Sequence, residues 1–289
     1  MKVLCIGIPE YIMKNAVQFN DSSLEYNVVT EEEFRGVNFV DNLDTFKEYP
    51  IMLIGIDFKN NDEYNLKNYS EILTNIIYII SKSIVMKKII FLSTYGVYKE
   101  KLDNESYNEE DKIEPQDYKS ALHYNYECMI KCACEKYEKQ VFIIRTFNTF
   151  GLYQSKDFII TYLVNEFLNG NPELFIGDMR KKRDYVYIKD LIKFINIIIS
   201  RDIDEKYNVY NFGMGKSHTI REIIDMIRKI TKKDKNIIFN PNKIRTVSDY
   251  NEVRADISKI RDELNFEFEY NIYEALSNFI ELFKVSKEK

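Results

Sequence analysis

Glycine is scarce in this sequence: nine residues in 289, about 3%, against a usual share of roughly 7%. Such a chain has no fibrous or low-complexity character and few residues to spare for loops that cradle phosphates. Two histidines and four cysteines leave little for a metal site. Cys5, Cys128, Cys132 and Cys134 make no disulfide framework in a chain of this size without a secretion signal. Cys128 and Cys132 share a helix face at i,i+4, but no histidine with ligand spacing accompanies them, so buried thiols are the expectation. The apolar start is cut off by Pro9 and Glu10, too soon for a signal peptide or a membrane span, which predicts a cytoplasmic, reduced protein. Excess positive charge is also missing. With 41 Lys+Arg against 46 Asp+Glu the net charge is −5, which argues against a general nucleic-acid binder.

What is present is core-forming material, 45% apolar with 14% aromatic residues, at a length that suits one large domain or one and a half. Short apolar runs at Val3 to Ile6, Tyr26 to Val29, Ile51 to Ile56, Lys88 to Leu92 and Val141 to Arg145 predict buried strands. Helix-period segments, Tyr69 to Val85 and Tyr118 to Tyr137, lie between the later ones. Strand, helix, strand in this order predicts an α/β fold with a doubly wound parallel sheet, whose ligands lie outside the carboxyl ends of the strands. Residues 31 to 41 are too few for a full crossover helix, so a loop or a single turn is expected there. Beyond residue 150 the pattern changes to helix Asp157 to Leu168, strands near Glu173 to Ile176 and Asp184 to Tyr187, helix Asp190 to Ser200, strand Tyr207 to Phe212, helix Ile220 to Ile230 and a last helix from Ile272. The expected division is a Rossmann-like domain over 1–150 and a smaller α/β lobe over 151–289, with some exchange of elements.

The first strand leads into Gly7-Ile8-Pro9-Glu10-Tyr11-Ile12-Met13. A dinucleotide turn needs one glycine for the bend, a second where backbone meets the pyrophosphate, and a third where helix packs on strand. Only Gly7 stands; Glu10 and Met13 take the other two places, and a carboxylate beside a diphosphate repels it. Glu31, at the end of the second strand, is placed to accept from the ribose hydroxyls of NAD; a solvated acidic helix start explains it equally.

The segment Phe91-Leu92-Ser93-Thr94-Tyr95-Gly96-Val97-Tyr98, followed by Glu109, Pro115 and Tyr118, resembles the extended short-chain dehydrogenase/reductase family of nucleotide-sugar epimerases, dehydratases and reductases. Further matches follow in the family's order: Arg145-Thr146-Phe147-Asn148-Thr149-Phe150-Gly151, Arg183-Asp184-Tyr185-Val186-Tyr187-Ile188-Lys189-Asp190, Tyr207 to Gly213, and Arg254 to Lys259. The resemblance implies NAD as cofactor, a nucleoside-diphosphate sugar as ligand, and chemistry at the sugar's C4. It also implies a homodimer built from the helices around 69–85 and 118–137. By resemblance Gly7, Tyr11, Ile12, Glu31 and Asp41 would line the cofactor. Asn148 would hold the diphosphate, Leu174, Phe175 and Ile176 the nucleobase, Arg183 a phosphate and Asp249 the nucleotide ribose. Arg245 is a further candidate, though a surface salt bridge explains it as well.

Family members flank the reacting carbon with a Ser or Thr hydroxyl and a Tyr, with a Lys four residues after the Tyr. On a helix that spacing puts both on one face, where the ammonium lowers the phenol's pKa. Thr94 and Tyr118 match, but position 122 is Leu. Moving the register by one does not rescue the pair, because Lys119 then takes the Tyr place and His123 the Lys place. His123, about 140° round the helix from Tyr118, is a candidate substitute base, with an ordinary buried or surface histidine as the plainer reading. The dehydratase subgroup carries an Asp-Glu pair after the Thr; Tyr95 and Gly96 stand here instead, so an epimerase or a ketosugar reductase fits better. A second hypothesis is a non-catalytic or regulatory relative that binds a nucleotide or a partner enzyme without transferring hydride.

Overall fold

A computed structural model of the chain describes residues 1–19, 23–36, 46–58, 65–101, 105–243 and 250–286. The elements are β1 (Lys2–Ile6), α1 (Glu10–Gln18), β2 (Glu25–Val29), α2 (Glu31–Gly36), β3 (Ile51–Ile54), α3 (Leu66–Lys82), β4 (Lys88–Thr94), α4 (Tyr118–Lys136), β5 (Gln140–Thr146) and β6 (Asn148–Phe150). There follow α5 (Ile159–Asn169), β7 (Glu173–Ile176), β8 (Lys182–Tyr187), α6 (Ile188–Ser200), β9 (Tyr207–Phe212), β10 (Ser217–Thr219), α7 (Ile220–Thr231), β11 (Asn236–Phe239), β12 (Glu252–Val253), α8 (Ser258–Leu264) and α9 (Ile272–Val285).

The main sheet has six strands in the order β2-β1-β3-β4-β5-β9, and β1 to β5 pair in parallel. Parallel strands covered on both faces read as unbroken apolar runs, and Ile51-Met52-Leu53-Ile54 in β3 and Ile89-Ile90-Phe91-Leu92 in β4 are buried throughout. One core cluster joins Ile54, Ile76, Phe91, Tyr126 and Ile143, with α3 packed on α4. The strand order turns back between β1 and β3, which makes that gap the switch point where ligands of such sheets lie.

The chain divides into two compact units. One comprises Met1–Lys99, Glu109–Thr146 and Ile192–Tyr210; the other comprises Glu100–Asn108, Phe147–Leu191 and Asn211–Lys289. Within the second, β10, β8 and β12 form a sheet that β6 joins through β8, and β7 pairs with β11 in a two-stranded sheet.

Several expectations need correction. β2 is only partly buried, because it is the edge strand and its outer side has no sheet neighbour. The short crossover is a six-residue helix, α2, longer than a single turn. Cys5 and Cys134 are buried, but Cys128 is half-buried and Cys132 exposed, since their side of α4 turns away from the sheet. All four thiols are free, and among the described residues no group of three His, Cys, Asp or Glu side chains could hold a metal.

Candidate functional site

The switch point is built around two glycines. Gly7 ends β1 with φ +61°, and a Cβ there would stand 2.7 Å from Ile56 Cδ1 and 3.0 Å from both Glu31 Cγ and the Gly55 carbonyl. The Gly7 N–H donates to Val29 O and the Gly55 N–H to Ile6 O, which binds the ends of β1, β2 and β3 together. Only glycine satisfies both the left-handed backbone and this enclosure. Glu31 opens α2 beside this turn, and its Oε1 accepts from the Asp57 N–H at 3.3 Å. A carboxylate at the end of β2, beside a glycine that leaves room for close approach, is the acceptor to which ribose hydroxyls donate, so the residues fit a dinucleotide at its adenosine end.

The next part of the turn differs. α1 begins after Pro9, which has neither an N–H nor a capping side chain. Glu10 occupies the first turn and pairs with Lys14 at 2.7 Å. A carboxylate there complements the positive helix end that would otherwise draw a phosphate. Tyr11 is half-buried, with its carbonyl accepting from Asn15 Nδ2. Ile12 is buried, and its N–H donates to Pro9 O.

At the end of β4, Thr94 Oγ1 accepts from the Gly96 N–H at 3.2 Å and caps a short 3-10 turn over Tyr95 to Val97. α4 starts behind it, capped by Asp117 Oδ1 on the Ser120 N–H. Tyr118 is the first helical residue and is 37% exposed. Leu122 belongs to the apolar core cluster. His123 is buried, with its ring 4.7 Å from that of Phe58 and 5.9 Å from that of Phe91, and its Nδ1 has no hydrogen-bond partner. Burial, and then the charge of Lys119, push its pKa down to about 3, so the imidazole is a neutral core ring. Sequence reasoning missed Asp57, whose Oδ1 lies 3.5 Å from Lys119 Nζ. No local spacing signals a pair 62 residues apart.

In the second unit, β6 lies beside β8 with Asn148 opposite Tyr185. Arg183, two residues earlier on β8, therefore shares Asn148's face of the sheet. Asn148 Nδ2 is buried with no hydrogen-bond partner among the described residues, a costly state unless a ligand or water accepts from it. Arg183 is half-buried and donates through Nη1 to Lys182 O at 2.8 Å. The neighbouring cations are committed: Arg180 forks onto Asp178 with both contacts at 3.0 Å, and Lys182 reaches Glu252. Beneath them Asp184 is buried and accepts from the N–H groups of Met214, Gly215 and Ala255. Leu174 and Ile176 of β7 point inward while Phe175 is exposed. Among the described residues β7 pairs with β11 alone, and the Phe175 carbonyl accepts from Tyr162 OH at 3.2 Å. Asp41, Arg245 and Asp249 lie outside the described residues.

Residues 69–279 match the family model described as GDP-mannose 4,6 dehydratase. UDP-glucuronic acid decarboxylase 1 of Arabidopsis thaliana is 26% identical over 147 residues, 50% of this chain and 32% of that protein. dTDP-4-dehydro-6-deoxyglucose reductase of Escherichia coli is 28% identical over 151 residues, 51% of this chain and 47% of that protein. The chain thus spans less than half the length of these two relatives. MoeE5, solved in complex with UDP-glucuronic acid and NAD, superposes with a TM-score of 0.83 over 99% of this chain and all of its own, at 18% identity, a likeness of fold. No helix among the described residues is long and apolar enough to cross a membrane.

Proposed function

Since the chain belongs to the GDP-mannose 4,6-dehydratase family of extended short-chain dehydrogenases/reductases, we propose that it binds NAD and a nucleoside-diphosphate sugar and modifies the hexose at C4, as an epimerase or ketosugar reductase. The observation that carries this reading is the buried, unpartnered Asn148 Nδ2 on the same sheet face as Arg183. An amide donor and a guanidinium fork are the pair a diphosphate takes. Leu174, Phe175 and Ile176 of β7 take the nucleobase, while Asp249 for the nucleotide ribose and Arg245 are candidates by family resemblance alone. At the other end Glu31 accepts from the ribose hydroxyls of the dinucleotide and Gly7 lets its backbone come close; Tyr11 and Ile12 follow on the same turn, and Asp41 is a candidate by family resemblance alone. When bound, the cofactor would accept hydride from the sugar carbon as NAD and donate it to a ketosugar as NADH. The chain orients the sugar through Thr94 and the first turn of α4. Tyr95-Gly96 in place of an acid-base pair sets this member apart from a dehydratase. A homodimer through α3 and α4 belongs to the same proposal, supported by the exposed Tyr124, Met129 and Cys132 on α4.

A second reading, nucleotide binding without hydride transfer, is supported by one specific pair of observations. Glu10 opens α1 just after the Gly7 turn and pairs with Lys14, and Leu122 is in the core. Thermal shifts separate the two, because a ligand raises stability by RT ln(1 + [L]/Kd). Stabilisation by NAD or NADH and by one of UDP, GDP, dTDP or CDP is expected. A shift with a nucleoside diphosphate but with no dinucleotide would leave only the second reading, and no shift with any of them would remove both.

A further inference from the structure

The helical geometry of α4 separates Tyr118 from Lys119. At about 100° per residue, the buried residues of α4 from Ser120 to Cys134 fall in an arc from roughly 60° on one side of Lys119 to roughly 100° on the other. Lys119 therefore lies near the middle of the inward face, and Tyr118 lies about 100° off it, beyond that arc.

Buried contacts fix this rotation. The Glu127 carboxylate accepts from Ser93 Oγ at 2.5 Å and takes the Arg145 fork at 3.1 and 2.7 Å. His123 stands over the Phe91 ring, and a Cβ on Gly96 would overlap Ser120 Oγ. Lys119, His123 and Glu127 are spaced i, i+4, i+8 and so run down one face of the helix. The lower two are buried against β4. The first extends past the point where the strands stop, β3 at Ile54 and β4 at Thr94, and its ammonium meets Asp57. Tyr118 OH has no hydrogen bond among the described residues.

We propose that Lys119, and not Tyr118, is the ligand-facing residue of α4, and that its ammonium, steadied by Asp57, donates a hydrogen bond to an oxygen of the bound sugar. This rests on the nucleotide-sugar reading above and sharpens it. An ammonium has three donors and no acceptor. It suits a carbonyl oxygen, which only accepts, better than a hydroxyl that must give up a proton. A hydroxyl oxygen also accepts from it, so a glucose conjugate reads the same contact.

Calorimetric titration of the full chain tests this, with UDP, GDP, dTDP and CDP and the glucose conjugate of each as probes. In the wild type, the conjugate of whichever diphosphate binds is expected to bind more tightly than the diphosphate alone. Lys119→Met is expected to weaken the conjugate roughly tenfold or more, as loss of a charged hydrogen bond does, and to leave the bare diphosphate unchanged. Lys119→Arg should recover part of the loss, and Tyr118→Phe should change neither. Lys119 is 40% exposed, so these variants fold, and an unchanged thermal midpoint verifies it. If a diphosphate binds while Lys119→Met treats its conjugate as the wild type does, or if Tyr118→Phe causes the loss instead, the inference is overturned alone. If no diphosphate binds the wild type, the nucleotide-sugar reading is overturned and this inference with it.

Discussion

The imidazole of His123 meets the ring of Phe58 edge-on, with centroids 4.7 Å apart and planes at 87°. This contact joins the middle of α4 to the residues just past β3, and it makes His123 a core residue that must stay neutral. Its folded pKa of about 3 lies below the ordinary 6.5. Between those values the unfolded chain binds a proton that the folded chain refuses. The His123 contribution to stability is therefore fully present above about pH 6.5 and is lost as pH falls toward 3, on the order of 5 kcal/mol at completion. His123→Leu is expected to flatten that part of the stability profile. It should also keep stability at pH 7.5 within about 1.5 kcal/mol, because the orphaned Nδ1 goes with the ring. Urea unfolding of both proteins from pH 4 to 8 checks this.

Arg145 and Glu127 form an ion pair with both side chains at most 5% exposed. Removing one partner leaves the other charge buried, so Glu127→Gln is expected to cost about 3 to 5 kcal/mol by urea unfolding. Replacing both by apolar residues, Glu127→Leu with Arg145→Met, should cost less than the single change.

Gly7→Ala is expected to cost about 1 to 3 kcal/mol, since alanine at φ +61° is strained and its Cβ enters the space held by Ile56 and Glu31. Denaturant unfolding measures it. Gly55→Ala, where φ is not positive, is the comparison that separates backbone strain from crowding.

Glu10→Gly is expected to tighten NAD binding several-fold, because the variant removes a carboxylate from the helix end that would face the diphosphate. Calorimetry with NAD reads the change, and the gain should shrink as salt is raised.

Much of the sheet was legible because parallel strands buried on both faces need consecutive apolar residues: Ile51 to Ile54 and Lys88 to Leu92 stand out in any window. β10 and β12, three and two residues long with Ser217-His218-Thr219 and Glu252-Val253, carry no period to detect and exist through their pairing with β8. Of the candidate site, the motifs singled out Asn148 and Arg183 and the turn singled out Gly7, but that Asn148 and Arg183 share a sheet face shows only in the pairing of β6 with β8. The fate of His123 was not legible, because Phe58 and Phe91, which enclose it, lie 65 and 32 positions earlier in the chain. Nor was the exposure of Cys132: i,i+4 spacing puts two thiols on one helix face without saying which way that face turns.

Titration of NAD into the wild-type chain, followed by the same titration into Glu31→Gln, tests the account at its centre. Saturable one-to-one binding by the wild type, weakened roughly tenfold or more in Glu31→Gln, is the result expected of a dinucleotide held between Gly7 and the end of β2. Absence of binding by the wild type at millimolar NAD would contradict it.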